Sequence, residues 1–260
     1  MGARRFRVAA LLLVLLPGAL APLQASATAT VAAASDLKFA LEEIAAAFSR
    51  ESGKAVRLAF GSSGNFRRQI AEGAPFELFL SADEAFVSAL AKEGRLEDEG
   101  VPYAIGRLVL FAPTGSQVDP ARGLAGVAAL ARQGRIGRFA IANPVHAPYG
   151  RAAREALERA GAWQPLQGRL VMGENVSQAA QFSLSGDAGA GLFAYSLTFA
   201  PSVAGKGRFA LVPESAHGPL RQRMALVKGA GADARDFYRY LQAPGAQAIF
   251  SRFGFGPPGR

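Results

Sequence analysis

An α/β fold in two lobes with a cleft between them is what this sequence predicts, and three observations carry it. Strand-like apolar runs alternate with helical patterns along nearly the whole chain. Half of the 260 residues are hydrophobic, enough to bury one large core or two smaller ones. No low-complexity linker breaks the alternation, and only the terminal GPPGR departs from it. Such β–α alternation gives mostly parallel sheets flanked by helices.

The elements follow in order. ATVAAAS reads as a short buried strand, and LKFALEEIAAAF places Leu37, Leu41, Ile44 and Phe48 on one helical face. AVRLAF is a second strand, and NFRRQIAEG a short helix that stops at Gly73. FELFLSAD is a third strand, with Asp83 placed to cap the helix DEAFVSALAKEG. GRLVLFAP is a fourth, and the region from Tyr103 to Phe111 is the predicted crossing between lobes. The alternation continues through PARGLAGVAALARQG, RFAIANP, YGRAAREALERAGAW, GRLVMGEN, SQAAQFSLSG and AGLFAYSL. The closing helices, ARDFYRYLQAPGAQAIF, are expected to pack back on the first lobe. The expected division is 1–27 as a leader, 28–105 with 228–260 as the first lobe, and 106–227 as the second.

The leader expectation rests on a basic start (Arg4, Arg5, Arg7), the apolar run VAALLLVLLPGALAPL and the small-x-small site Ala25-Ser26-Ala27. This is the layout of a cleaved secretory signal peptide. Pro17 and Pro22 interrupt a run already short for a membrane span. No cysteine follows it for lipid attachment, so the mature chain is expected free in an exported compartment, the bacterial periplasm.

With no cysteine, disulfides, thiolate metal sites and a cysteine nucleophile are excluded. The formal charge is +9, and losing the three leader arginines leaves 26 basic against 20 acidic residues. That balance suits small anions, anionic surfaces or nucleic acid. The basic residues are scattered with no run of five, and export argues against nucleic acid.

Ligands in open α/β sheets sit beyond the carboxyl ends of strands, where helices begin. Four turns there share one design, a strand, a small polar stretch and a helix: AAASDL at Ser35, FGSSGN at Ser62 and Ser63, HAPYGR at Tyr149, and GENVSQ at Val176. Taken singly, Ser35, Ser63 and Asn175 are ordinary N-caps, Tyr149 a half-buried aromatic and Val176 core. If the turns converge, they give the cleft hydroxyls and unpaired N–H groups at the positive ends of helix dipoles.

The stretches AAASDLKFALEEIAAAF, FGSSGNFRRQIAEGAPFELFLSAD, YAIGRLVLFAP, ANPVHAPYGRAAREAL and GENVSQAAQFSLSG together resemble the periplasmic molybdate-binding proteins of ABC transporters, from about Val31 to Phe253. The resemblance implies a type II periplasmic-binding-protein fold. Such a protein closes on molybdate or tungstate and delivers it to an inner-membrane permease, as a monomer and without a cofactor. Carried over residue by residue, it implies hydroxyl ligands at Ser35 and Ser63, a backbone N–H ligand at Val176 and a hydroxyl ligand at Tyr149. Ser62 and Asp36 are secondary candidates. The metal is reached only through oxygens of the oxyanion, with no direct coordination. One branch of the family takes its tyrosine from the position of Ala194 instead. Tyr195 is adjacent, but strand alternation turns it the other way.

A carboxylate aimed at a dianion repels it, so the expectation for Asp36 is a backbone N–H toward the ligand and a side chain turned away to cap its helix. Asn65 is left unassigned, and Arg67 and Arg68 are read as a solvated helix face. A sulfate or other oxyanion receptor is the alternative within the binding class. A cleft enzyme such as a dehydratase is the alternative outside it. Catalysis needs acid–base groups, and the chain has only His146 and His217, with no HExxH or G-x-S-x-G motif. His146, in PVHAPYG, is read as orienting its turn, and His217 as a surface-loop residue.

Overall fold

The computed structural model describes residues 28–258. The leader expected over 1–27 lies outside them. The chain begins with β1 (Ala29–Ala34), a three-residue 3-10 turn (Ser35–Leu37) and α1 (Lys38–Ser52). It continues through β2 (Val56–Gly61), α2 (Ser63–Ala71), β3 (Leu78–Ser81), α3 (Glu84–Lys92) and β4 (Val101–Gly106). A second set follows: β5 (Leu108–Pro113), α4 (Gly123–Arg132), β6 (Phe139–Ala142), α5 (Pro148–Arg159), α6 (Trp163–Leu166), β7 (Leu170–Gly173), α7 (Val176–Leu184), β8 (Ala190–Ala194) and β9 (Gly207–Leu211). Then come β10 (Leu220–Leu226), α8 (Ala232–Leu241) and α9 (Pro244–Arg252).

These strands form two five-stranded sheets, ordered β2-β1-β3-β10-β4 and β7-β6-β8-β5-β9. In each, three strands pair in parallel and two more join through antiparallel pairings, with β10 and β5 the one reversed strand of their sheets. The parallel halves come from the βα units legible in the sequence. The sheets are mostly parallel as expected, and the reversed strands β10 and β5 make them mixed. The chain passes from the first sheet to the second at a single residue, Arg107, inside the region predicted as the crossing. It returns through 212–219 into β10.

The expected lobe boundary at 227 needs correcting on this point. β10 pairs with β3 and β4, so 220–226 runs in the first sheet and not with the second-lobe segment 106–227. The reason is tertiary, because β10 fills the gap between two strands made more than a hundred residues earlier. The closing helices do return to the first lobe, where Phe237 of α8 stacks on Phe48 of α1 at 5.1 Å between ring centroids.

Local chemistry explains where helices begin and end. Asp83 accepts from the Ala85 N–H at 2.9 Å and caps α3 as predicted. Asn175 does the same for α7, accepting from Gln178 N at 3.1 Å. Pro148 opens α5 at a position whose N–H has no helical partner. α1 buries Leu41, Ile44 and Phe48 and ends at Gly53, which takes the left-handed φ of 71°. Each such large apolar side chain contributes about 1.5–3 kcal/mol by leaving water.

Candidate functional site

Four strand ends carry helix starts to one place. Ala34, Ser35, Asp36, Gly61, Ser62, Ser63, Ala82, Ala147, Pro148, Tyr149 and Val176 line a cavity of about 10 Å³ between the two sheets. All four predicted turns contribute, with Ser35 and Ser63 from the first lobe and Tyr149 and Val176 from the second. Space of this size holds about one water molecule, so the cleft is closed tightly here and excludes an amino acid or a sugar. The far larger hollow of about 870 Å³, lined by Thr30, Arg57, Glu77 and Lys228, collects none of these turns.

Hydrogen-bond accounting shows what the lining offers. The Ser63 side chain is fully buried, and its Oγ accepts from Ala82 N at 3.0 Å. The Ser35 Oγ accepts from Ser177 N at 3.3 Å. In both cases a backbone N–H takes up a lone pair, so the hydroxyl proton is left to donate elsewhere. Ser63 and Val176 are the first residues of α2 and α7, and their N–H groups have no partner within the helix. No lysine or arginine is among the lining residues. Apart from the Asp36 carboxyl, the lining is a ring of neutral donors at helix N-termini, which suits a species whose every oxygen is an acceptor.

Ser63 is not the N-cap of α2; Ser62 is, and neither hydroxyl caps the helix. The Ser62 Oγ faces His146 Nδ1 at 3.0 Å. His146 Nε2 lies 3.5 Å from Glu174, which also pairs with Asn65. His146 thus joins the lobes at the mouth, a larger role than orienting its own turn. Further bonds close the cleft: Gly64 N to His146 O at 2.9 Å, Ser177 Oγ to Ser35 O at 2.9 Å, and Arg151 to Asp83 at 2.6 Å. A Cβ on Gly64 would meet His146 O at 2.6 Å, so only glycine permits this approach. Arg67 pairs with Glu93, away from the mouth.

Asp36 corrects the expectation that its side chain turns away to cap a helix. Its carboxyl is 1% exposed and makes no cap; Oδ2 accepts from Gln222 Nε2 at 2.6 Å, and Oδ1 is buried without a partner. Burial pushes its pKa up to about 6, against the opposing pull of hydrogen bonds from Gln222 and Tyr149. The orientation follows from a local fact: Asp36 sits in a tight 3-10 turn whose other face is taken by Ser196, donating to Asp36 O at 2.7 Å.

Tyr149 is fully buried beside it, deeper than the half-buried aromatic the sequence alone suggests. Its hydroxyl accepts from Gln222 Nε2 at 3.4 Å, and burial followed by the Asp36 charge drives its pKa well above the ordinary range. Gly106 makes room for it, since a Cβ there would meet the hydroxyl at 2.3 Å. The Gln222 Oε1 accepts from Tyr103 at 2.7 Å, fixing which way the amide points. Neither Gln222 nor Tyr103 was singled out from the sequence as a site residue; a buried glutamine in the alternating run LRQRMAL was the available signal. Tyr195 does face away, stacking on Phe199 and Phe209 beneath Arg107. His217 is buried, contacting the Gly218 carbonyl, and is not the surface residue expected.

Two mixed α/β sheets, joined by two crossings and closed over a small neutral-donor pocket, define the class of two-lobed solute-binding proteins. The pattern described as "Bacterial extracellular solute-binding protein" matches residues 29–256. The molybdate-binding protein ModA of Rhodobacter capsulatus is 37% identical over 82% of each chain. ModA of Escherichia coli K12 is 34% identical over 89% of this chain and 88% of its own. The solved periplasmic molybdate-binding protein of Azotobacter vinelandii superposes with a TM-score of 0.80 at 31% identity, covering 89% of this chain and all of that one. The chain belongs to the bacterial extracellular solute-binding protein family, within the group of the ModA molybdate-binding proteins.

Proposed function

We propose that this chain captures molybdate or tungstate in the cleft between its lobes and hands it to an ABC transporter permease. The observation that carries the reading is the donor ring: hydroxyls of Ser35 and Ser63 that each already accept a backbone N–H, with the first N–H groups of α2 and α7 beside them. A fully deprotonated tetrahedral dianion presents only acceptors and matches such a ring without a buried cation. Ser35 and Ser63 grip from one side, and Tyr149 and the Val176 N–H from the other. Ser62 holds the mouth through His146. Its relatives being solute-binding proteins, the chain acts as a carrier and not as an enzyme, working as a periplasmic monomer without a cofactor.

The two sheets are the cores of the moving lobes, and the closed state is the one the permease reads. A ligand selects that state only through donors it meets in both lobes at once. A thermal-shift series on the chain from residue 28 tests the function, comparing molybdate, tungstate, sulfate, phosphate and chromate at one ionic strength. At about a hundred times its dissociation constant, the true ligand adds roughly 2.7 kcal/mol of stability. Shifts with molybdate and tungstate but not sulfate are expected. A shift with sulfate alone makes the chain a sulfate receptor, and none with any oxyanion overturns the reading.

A further inference from the structure

Behind the donor ring lies a polar network that the ring itself does not require. It runs from Tyr103 on β4 through Gln222 on β10 to Asp36 in the first lobe and Tyr149 in the second. Every member is buried. The Tyr103 hydroxyl fixes the Gln222 amide, so both amide protons point to Asp36 Oδ2 and the Tyr149 oxygen. One acceptor, Asp36 Oδ1, is then left over, and one proton, that of Tyr149, is left to place.

That proton can serve Asp36 or an anion in the cavity, not both. While Asp36 is ionised, its carboxylate, bridged to Tyr149 by the shared Gln222 amide, is the strongest acceptor within the network and draws the Tyr149 proton toward it. Once Asp36 carries a proton, Oδ1–H donates to the Tyr149 oxygen and frees the tyrosine proton to face the cavity. A dianion beside the pair strongly favours the second arrangement, because it removes a like charge in a water-poor site.

We infer that Asp36 takes up one proton from solvent as the oxyanion binds, and that this proton switches Tyr149 from bonding the carboxylate to bonding the ligand. The balance is simple: dianion, carboxylate and one solvent proton give a complex holding a neutral carboxyl. No bond other than O–H forms. The inference rests on the proposed oxyanion function. Around Asp36, the titratable groups are Tyr149 on α5 and Tyr103 on β4; Gln222 on β10 is neutral. His146 and Glu174 bond to each other and to Ser62 and Asn65 at the mouth. Lys38, on the adjoining helix, pairs with Glu42.

Titration calorimetry with molybdate in two buffers of different protonation enthalpy counts the protons. At about pH 7.5, the wild-type chain should take up close to one proton per anion, and affinity should fall about tenfold per unit of rising pH. Asp36→Asn, whose amide mimics the neutral carboxyl, should bind with no proton uptake and a flat pH profile. His146→Gln should keep the uptake. Binding by wild type without uptake overturns the inference, as does uptake that survives Asp36→Asn or vanishes in His146→Gln. Absence of binding heat with both molybdate and tungstate instead overturns the oxyanion function on which it stands. Should Asp36→Asn fail to fold, the wild-type proton count and its survival in His146→Gln decide.

Discussion

The two sheets share one plan but not one interior. Each has three parallel strands, of which all three in the first sheet and β6 and β7 in the second lead into the pocket, and each adds an antiparallel pair. In the second sheet the inner strand of that pair is dry, with Leu108 to Ala112 of β5 buried and apolar, and β9 outside it is half exposed and sends nothing to the site. In the first, the corresponding strands β10 and β4 bury Gln222 and Tyr103, which reach the site. A sheet's architecture thus fixes where helix starts converge, while the residues of its antiparallel half decide whether it also carries polar wiring. A buried hydrogen-bonded network orients its members, whereas an apolar strand only stabilises.

The comparison breaks most visibly at Phe111, in the dry half, which packs on Phe193 at 5.4 Å. Phe111→Ala should cost about 3–5 kcal/mol of unfolding free energy while leaving molybdate affinity of the folded protein unchanged. Denaturant melts and calorimetry on one preparation check it, and a comparable affinity loss would show that the dry half is also wired to the site.

In the wet half, Asp36→Asn sharpens the contrast through pH. The Asp36 pKa is raised from 3.8 to about 6 in the folded chain, so the native state holds its proton more tightly than the unfolded one. Its stabilising contribution is complete below about pH 4 and is lost as pH rises to about 6. Relative to wild type, the ligand-free variant should gain up to about 3 kcal/mol above that range, and the gain should shrink toward pH 4. A difference independent of pH would remove the buried carboxyl as its cause. Smaller still is Tyr149→Phe, which deletes one hydroxyl. Affinity should fall about 10- to 100-fold, the worth of a hydrogen bond to a charged group, with stability changing by no more than about 1 kcal/mol. Unchanged affinity ends the ligand role of Tyr149.

Much of this was written locally in the chain. Ser35, Ser63, Tyr149 and Val176 stand at strand-to-helix turns that short-range pattern identifies, and Asp83 and Asn175 cap as their positions dictate. What was not legible depends on distance along the chain. Gln222 lies 186 residues from Asp36 and meets it only because β10 inserts between β3 and β4. The same insertion moved the lobe boundary, and without it no local signal says that the Asp36 carboxyl points inward. β9 and β10 themselves are short runs that carry arginine, GRFAL and LRQRMAL, whose pairing partners alone make them strands.

Gly106 ends β4 and Leu108 begins β5, so Arg107 is the entire forward tether between the two halves of the donor set. A tether that short raises the effective concentration at which one lobe's donors meet an ion already held by the other. Grip on the anion is then partly a matter of chain length, set at a position the anion never touches.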